Sequence, residues 1–418
     1  MLKRLLRRLV PPLLFLVAGS ACASPDSSRR NQAVSKESIS PKQAQADPAS
    51  LLRNDEVLNG GETPSTGPLA GQSIFLALTR WGSTTLSLFN HATKKAIPVS
   101  TKTTGDPVFS LGSGRIAYLV REGVNPAKNH IEVLDLRERK VQLIKPAADF
   151  AFTGFVLSPN GEQLAYAQIN LRWSRSHRVF WRIGIAELKQ HESRVSATSS
   201  QIKLSGEEIP VPFAWSASTG KIYFQGLLPF RGMSTQGIWS MSPDGSGFTR
   251  LLTEPSYTGN PRLSTDGVNL AYLKTVIEDL PRDPMSRPGA PPGNILAIMN
   301  LATGEQSIWA QQADSVFGIL NWSATGKEIL ATNQDWREGR FRDSALLRIT
   351  RDGSFLMLKL ARAPSLKITA IGECGRSLYW VEENELGAKL LGIRANAVPE
   401  TFFDYPEGRI YFLGCTGE

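Results

Sequence analysis

The residue types that could do chemistry are few and scattered. Four histidines, His91, His130, His177 and His191, show neither an H-E-x-x-H motif nor any other i, i+4 pair. Those are the spacings that put two imidazoles on one side of a helix to hold zinc. Each lies in or beside a segment that reads as turn or loop, so all four are expected as solvated surface side chains. The chain has no G-x-S-x-G nucleophile elbow, no G-x-x-x-x-G-K phosphate loop and no C-x-x-C pair. Acidic pairs stand at Glu207-Glu208 and Glu382-Glu383, but neighbours along a strand point to opposite faces and cannot flank one bond. No catalytic residue, metal ligand set or cofactor is expected from these patterns.

What the sequence does concentrate is arginine and tryptophan. Arg80-Trp81, Arg172-Trp173, Arg175, Arg178, Arg231, Trp336, Arg337, Arg340 and Arg342 all fall in segments that link apolar runs. Both residue types bury large area while offering directed hydrogen bonds, the combination that dominates binding hot spots. Arg80, Trp81, Arg172, Trp173, Arg175, Arg231, Trp336, Arg340 and Arg342 are therefore the candidate binding residues. Asp335, Glu338 and Asp343 interleave with the last arginines, and Glu382, Glu383 and Glu385 make another link acidic, so a uniformly polyanion-binding face is not expected.

The elements that must carry these links repeat along the chain. A short apolar strand, a glycine turn and a second strand ending in an apolar triplet recur as Phe155-Val156-Leu157-Ser158-Pro159-Asn160-Gly161 with Leu164-Ala165-Tyr166, and as Pro261-Arg262-Leu263-Ser264-Thr265-Asp266-Gly267 with Leu270-Ala271-Tyr272. The turn glycines are Gly114, Gly161, Gly220, Gly267, Gly326 and Gly375, spaced 47, 59, 47, 59 and 49 residues apart. A second hairpin lies between successive copies. Four strands per unit of about 50 residues is the signature of a β-propeller blade. Seven outer hairpins begin near residues 84, 131, 181, 238, 294, 344 and 389, against six inner ones. The missing inner pair is expected from residues 74–78 and 409–413, so that N- and C-terminal strands close the ring in one blade and remove its open edges. The expected fold is all-β, a propeller of seven four-stranded blades, with six as the runner-up.

In a propeller the links between second and third strands emerge on one face together with those between blades. Long links of this kind span residues 121–130, 170–180, 226–237, 275–293 and 334–343, whereas turns on the other face are short. One face is elaborated and the other is not. If residues 409–413 form an innermost strand, Cys415 leaves it on the face where the neighbouring inner turn presents Cys374. The two are a possible disulfide, with a pair of partly buried thiols as the alternative.

The segment Ser242-Pro243-Asp244-Gly245-Ser246-Gly247 with Arg250-Leu251, followed by residues 260–267, resembles one repeat of the TolB-type, WD-repeat-like propellers of bacterial envelope proteins. The resemblance covers residues 73–414 and implies envelope scaffolding. It departs from the family where a folded α/β domain would precede the propeller.

Upstream, Lys3, Arg4, Arg7 and Arg8 precede an apolar run over residues 9–18 and the small residues Gly19, Ser20, Ala21, Cys22 and Ala23. A run of ten is too short to span a bilayer, which takes about 20, and reads as a secretory signal. Two processing routes stay open: lipidation of Cys22 at a lipobox-like Gly-Ser-Ala-Cys, or simple cleavage after Ala23. Residues 22–70, rich in Ser, Pro, Gln and Ala, read as a disordered tether. The expected domains are thus a signal peptide over 1–21, a tether over 22–70 and a propeller over 71–418. Net charge is +9; residues 1–21 carry four of the positives, leaving 43 basic against 38 acidic residues and a net +5. No nucleic-acid partner is expected from so mild a balance. These readings together describe an exported monomer, lipid-anchored or secreted, in the periplasm or at the cell surface, binding an envelope protein or a glycan. A hydrolase or lyase acting on sugars or peptides at the central channel is the alternative class.

Overall fold

The computed structural model describes residues 73–416 apart from 82, 91–92, 105–108, 123–124, 137–139, 172–179, 191, 199–201, 203, 205–207, 229–233, 253–256, 276–292, 313–314, 338–339, 362–365, 376 and 395–397. Its strands form seven four-stranded antiparallel sheets. The sheet that closes the ring takes β1 (Ser73–Arg80), β2 (Ser83–Asn90) and β3 (Lys95–Thr104) from the beginning and its innermost strand, β28 (Arg409–Thr416), from the end. Ser73 pairs with Thr416 and Thr79 with Arg409, so the two ends of the propeller leave side by side.

The other blades follow the chain in order, innermost strand first. Blade 2 comprises β4 (Phe109–Gly112), β5 (Arg115–Val120), β6 (His130–Asp135) and β7 (Val141–Ile144); blade 3 comprises β8 (Phe150–Leu157), β9 (Gln163–Asn170), β10 (Trp181–Glu187) and β11 (Glu192–Thr198). Blade 4 has β12 (Ile209–Trp215), β13 (Ile222–Leu228), β14 (Ser234–Met241) and β15 (Thr249–Leu252), and blade 5 has β16 (Tyr257–Leu263), β17 (Asn269–Lys274), β18 (Ile295–Asn300) and β19 (Gln306–Gln311). Blade 6 is built from β20 (Ser315–Trp322), β21 (Ile329–Arg337), β22 (Arg340–Ile349) and β23 (Phe355–Ala361), and blade 7 from β24 (Lys367–Cys374), β25 (Ser377–Asn384), β26 (Gly387–Arg394) and β27 (Glu400–Pro406).

The core is not one cluster but a layer between each pair of blades. Along β1, Ile74, Leu76 and Leu78 pack against blade 7, while the alternating Phe75 and Ala77 pack against Ile116, Tyr118 and Val120 of blade 2. In blade 5, Ala271 and Leu273 face blade 6, and Leu270 and Tyr272 face blade 4. Strands buried on both sides lose the apolar-polar alternation of a half-exposed sheet, which is why these segments read as continuous apolar runs.

The repeated Ser-x-x-Gly turn is a hydrogen-bonded unit. Ser158 Oγ accepts from the Gln163 N–H at 2.9 Å and Ser264 Oγ from the Asn269 N–H at 2.8 Å. The Gly267 N–H closes on the Ser264 carbonyl at 2.8 Å, with Gly267 at φ 71°, a left-handed conformation that glycine adopts without a Cβ clash. These turns also bind sideways: Ser216 and Ser218 donate to the Gly267 carbonyl of the next blade at 3.0 and 2.9 Å, and Arg115 Nη1 donates to the Gly161 carbonyl at 2.7 Å.

Innermost strands carry bulges, as between Phe152 and Gly154 in β8 and between Phe317 and Leu320 in β20. Side chains of one blade then cap carbonyls on the inner edge of another: Thr153 Oγ1 to Pro210 O at 2.8 Å, Arg262 Nε to Leu320 O at 3.1 Å and Asn321 Nδ2 to Ile371 O at 3.2 Å. A lone edge would expose such groups; here the ring satisfies them.

Candidate binding face

Topology separates two faces. The short turns within inner hairpins, together with Ser73 and Thr416, lie on one; the links between second and third strands and those between blades lie on the other. On the short-turn face Cys374, at the end of β24, and Cys415, in β28, are joined as a disulfide with Cα atoms 5.8 Å apart. The bond ties the C-terminal strand to blade 7 beside its hydrogen-bonded ladder with β1.

The elaborated face presents Arg80 and Trp81 at the β1–β2 hairpin. Arg80 pairs with Ser83, so two residues make the turn, and Trp81 sits there at φ 50° with 84% of its surface exposed. The Arg80 guanidinium stacks over the indole at 4.5 Å and donates to Glu407 Oε2 at 2.6 Å. Glu407, at φ 56°, lies between β27 and β28, and its N–H donates to the carbonyl of Leu386 in the β25–β26 turn at 2.8 Å. Leu386 is 80% exposed. Burial holds the nearby Tyr405 hydroxyl above the usual tyrosine range, against an opposing pull from Arg80. Sequence reading missed Leu386 and Glu407; the available signal was a large apolar residue at the centre of Asn384-Glu385-Leu386-Gly387, where turns favour small polar ones.

The remaining candidates divide by position. Cys22, Arg172, Trp173, Arg175, Arg178 and Arg231 lie outside the described residues, as do His91, His177 and His191. Trp336 and Arg340 belong to an extension of blade 6 in which Trp336 pairs with Phe341 and Arg337 with Arg340. Residues 334–343, expected as a loop, are therefore largely a continued hairpin of β21 and β22, with Arg342 on the latter. Arg80 and Trp81 are brought together; the backbone of Trp336, Arg340 and Arg342 lies in another blade.

His130 corrects the expectation of a solvated surface side chain. It opens β6 opposite Val120 and is only 9% exposed. Its Nδ1 lies 3.3 Å from Glu122 Oε1 and its Nε2 3.4 Å from Glu132 Oε1, while Tyr118 donates to Glu132 Oε2 at 2.5 Å. The β5–β6 link folds back through a single 3-10 turn, Pro126–Lys128, capped by Asn125, and Asn129 Oδ1 accepts from the Glu122 N–H at 3.2 Å. Glu122 of that link and Glu132 of β6 thus flank the imidazole. Glu382 and Glu383 do face opposite neighbours, toward Lys359 at 3.6 Å and Arg409 at 3.3 Å. Among the described residues, no group of three or more His, Cys, Asp or Glu is placed to hold a metal ion.

No protein-family model matches the chain, and no curated protein matches it. Solved structures do. Oligogalacturonate lyase from Vibrio parahaemolyticus aligns at 12% identity and TM-score 0.51 over 75% of this chain and 88% of that one. The tricorn protease aligns at 12% identity and TM-score 0.52 over 85% of this chain, which spans only 36% of the protease. TolB from Acinetobacter baumannii aligns at 17% identity and TM-score 0.42 over 70% of this chain and 64% of that one. The first two likenesses are of fold, the β-propeller, and the third leaves the TolB-type resemblance a matter of repeat pattern. A propeller alone does not specify a chemistry.

Proposed function

We propose that this chain is an exported binding module of the cell envelope, a propeller that docks a protein or glycan on its elaborated face and is held at a membrane through lipid on Cys22. The observation that carries the reading is the contrast between the faces. On one, short inner-hairpin turns bond from blade to blade, as Ser216 and Ser218 do to Gly267 and Arg115 to Gly161, and the other holds Trp81 84% exposed on a left-handed backbone. The propeller's first strand begins at Ser73, on the face opposite the elaborated one. The signal-like residues 1–21 support export, and the sequence pattern supports scaffolding rather than catalysis.

The test is affinity capture from native membranes by the full chain, compared with a variant carrying Trp81→Asn, Arg172→Ala, Trp173→Ala, Trp336→Ala and Leu386→Ser that melts at the same temperature. Loss of a captured protein or glycan only in the variant supports the docking face. An unchanged capture profile overturns it and moves attention to the central channel and a hydrolase or lyase activity.

A further inference from the structure

The β1–β2 turn holds an arrangement that folding alone does not explain. A two-residue hairpin turn favours Asn or Gly because its residues need positive φ. Trp81 occupies the position at φ 50° and buries almost nothing there. A bulky residue in this region carries backbone strain, and such strain clusters at ligand sites. The indole is also held in place: Arg80 stacks on it, and Glu407 anchors Arg80. Glu407 then bonds the turn bearing Leu386, so two exposed apolar tips from adjacent blades are tied through one residue.

Charge around these tips is balanced. Arg80 pairs with Glu407 at 2.6 Å, Arg409 with Glu383 at 3.3 Å and Lys389 with Asp404 at 3.3 Å, while Lys367 and Glu385 offset each other in the count. A polyanion or an anionic membrane surface needs an excess of positive charge that the described residues of this edge lack. A protein interface needs about 800 Å² on each partner, and among the described residues the large exposed apolar side chains at this edge are two, Trp81 and Leu386. An uncharged sugar fits better. A hexose with equatorial substituents presents a face of axial C–H groups to an aromatic ring, and its vicinal hydroxyls match paired carboxylate acceptors and guanidinium donors.

We propose that the Trp81–Leu386 edge of the elaborated face docks an uncharged, equatorially substituted glycan, with a sugar ring stacked on Trp81 and hydroxyls bonded by Arg80 and Glu407. The assignment rests on the reading that this face binds.

The experiment is calorimetric titration of the full chain with chitotetraose and cellotetraose, with tetragalacturonate as the anionic comparison. Variants Trp81→Asn and Leu386→Ser are titrated alongside, and each is melted. Saturable binding of an uncharged tetrasaccharide is expected, weakened about tenfold or more by Trp81→Asn, the loss of one well-packed aromatic contact. The same variant should melt at the wild-type temperature or above, because asparagine tolerates positive φ. No saturable binding, binding of tetragalacturonate alone, or affinity unchanged in Trp81→Asn overturns the assignment. If the sugars fail while membrane capture still depends on the elaborated face, the glycan assignment falls and the docking reading stands. If both fail, both fall.

Discussion

Replacing Cys374 and Cys415 together by alanine removes the disulfide that ties the far end of the C-terminal strand to blade 7, leaving only the backbone connection from β27 to β28. The bond closes a loop with a sequence separation of 41. In the chain-entropy treatment such a cross-link withholds about 13 cal/mol/K from the unfolded chain, or about 4 kcal/mol at 25 °C. Unfolding entropy near 2.1 cal/mol/K per residue gives about 0.7 kcal/mol/K for a propeller of this size, so the melting temperature should fall by about 5 °C. The loss should appear first in β28, since that strand is held otherwise by its ladder with β1 and by packing. The assay is thermal and guanidinium unfolding of wild type and double variant, with and without reductant, alongside hydrogen exchange of the β28 amides. Reductant should bring the wild type to the stability of the variant and leave the variant unchanged. Wild-type unfolding indifferent to reductant, or two alkylatable thiols in the unreduced folded protein, would refute the reasoning.

Three further outcomes are expected. Gly267→Ala puts a Cβ 2.6 Å from Ser216 Oγ on a backbone at φ 71°, and should destabilise by about 2 kcal/mol in denaturant unfolding. Asp352 is held down to about 2 by hydrogen bonds from Thr350 and Ser354, so its contribution to the β22–β23 turn should be complete above the ordinary carboxylate value of 3.8 and vanish as pH falls through about 2. Side-chain carbonyl NMR shifts of Asp352 should titrate there, and a midpoint near 3.8 would contradict the geometry. His130→Phe leaves Glu132 buried without its imidazole neighbour and should cost about 2 kcal/mol by the same unfolding assay.

The features legible in the sequence were those that repeat. Gly161, Gly267 and Gly326 mark the same turn in blades 3, 5 and 6, and counting outer hairpins against inner ones pointed to a ring closed by residues 409–413 with 74–78, as β28 and β1 now are. Features occurring once were harder to see. Residues 334–343 carry enough charge to resemble a loop, yet the ladder of β21 and β22 continues through them past a bulge. The burial of His130 between the carboxylates of Glu122 and Glu132 has no periodic trace in the sequence. Arg80 and Trp81 could be picked by type, but their partner Glu407 lies 327 residues from Arg80 and meets it only because the last strand returns to the first blade.

The docking role is tested most directly by membrane capture with the full chain carrying Trp81→Asn and Leu386→Ser, two changes on exposed turns that leave every core layer intact. Wild type should retain a protein or glycan that the variant loses while both melt at comparable temperatures. Equal capture by both proteins would contradict a binding role for this edge of the propeller.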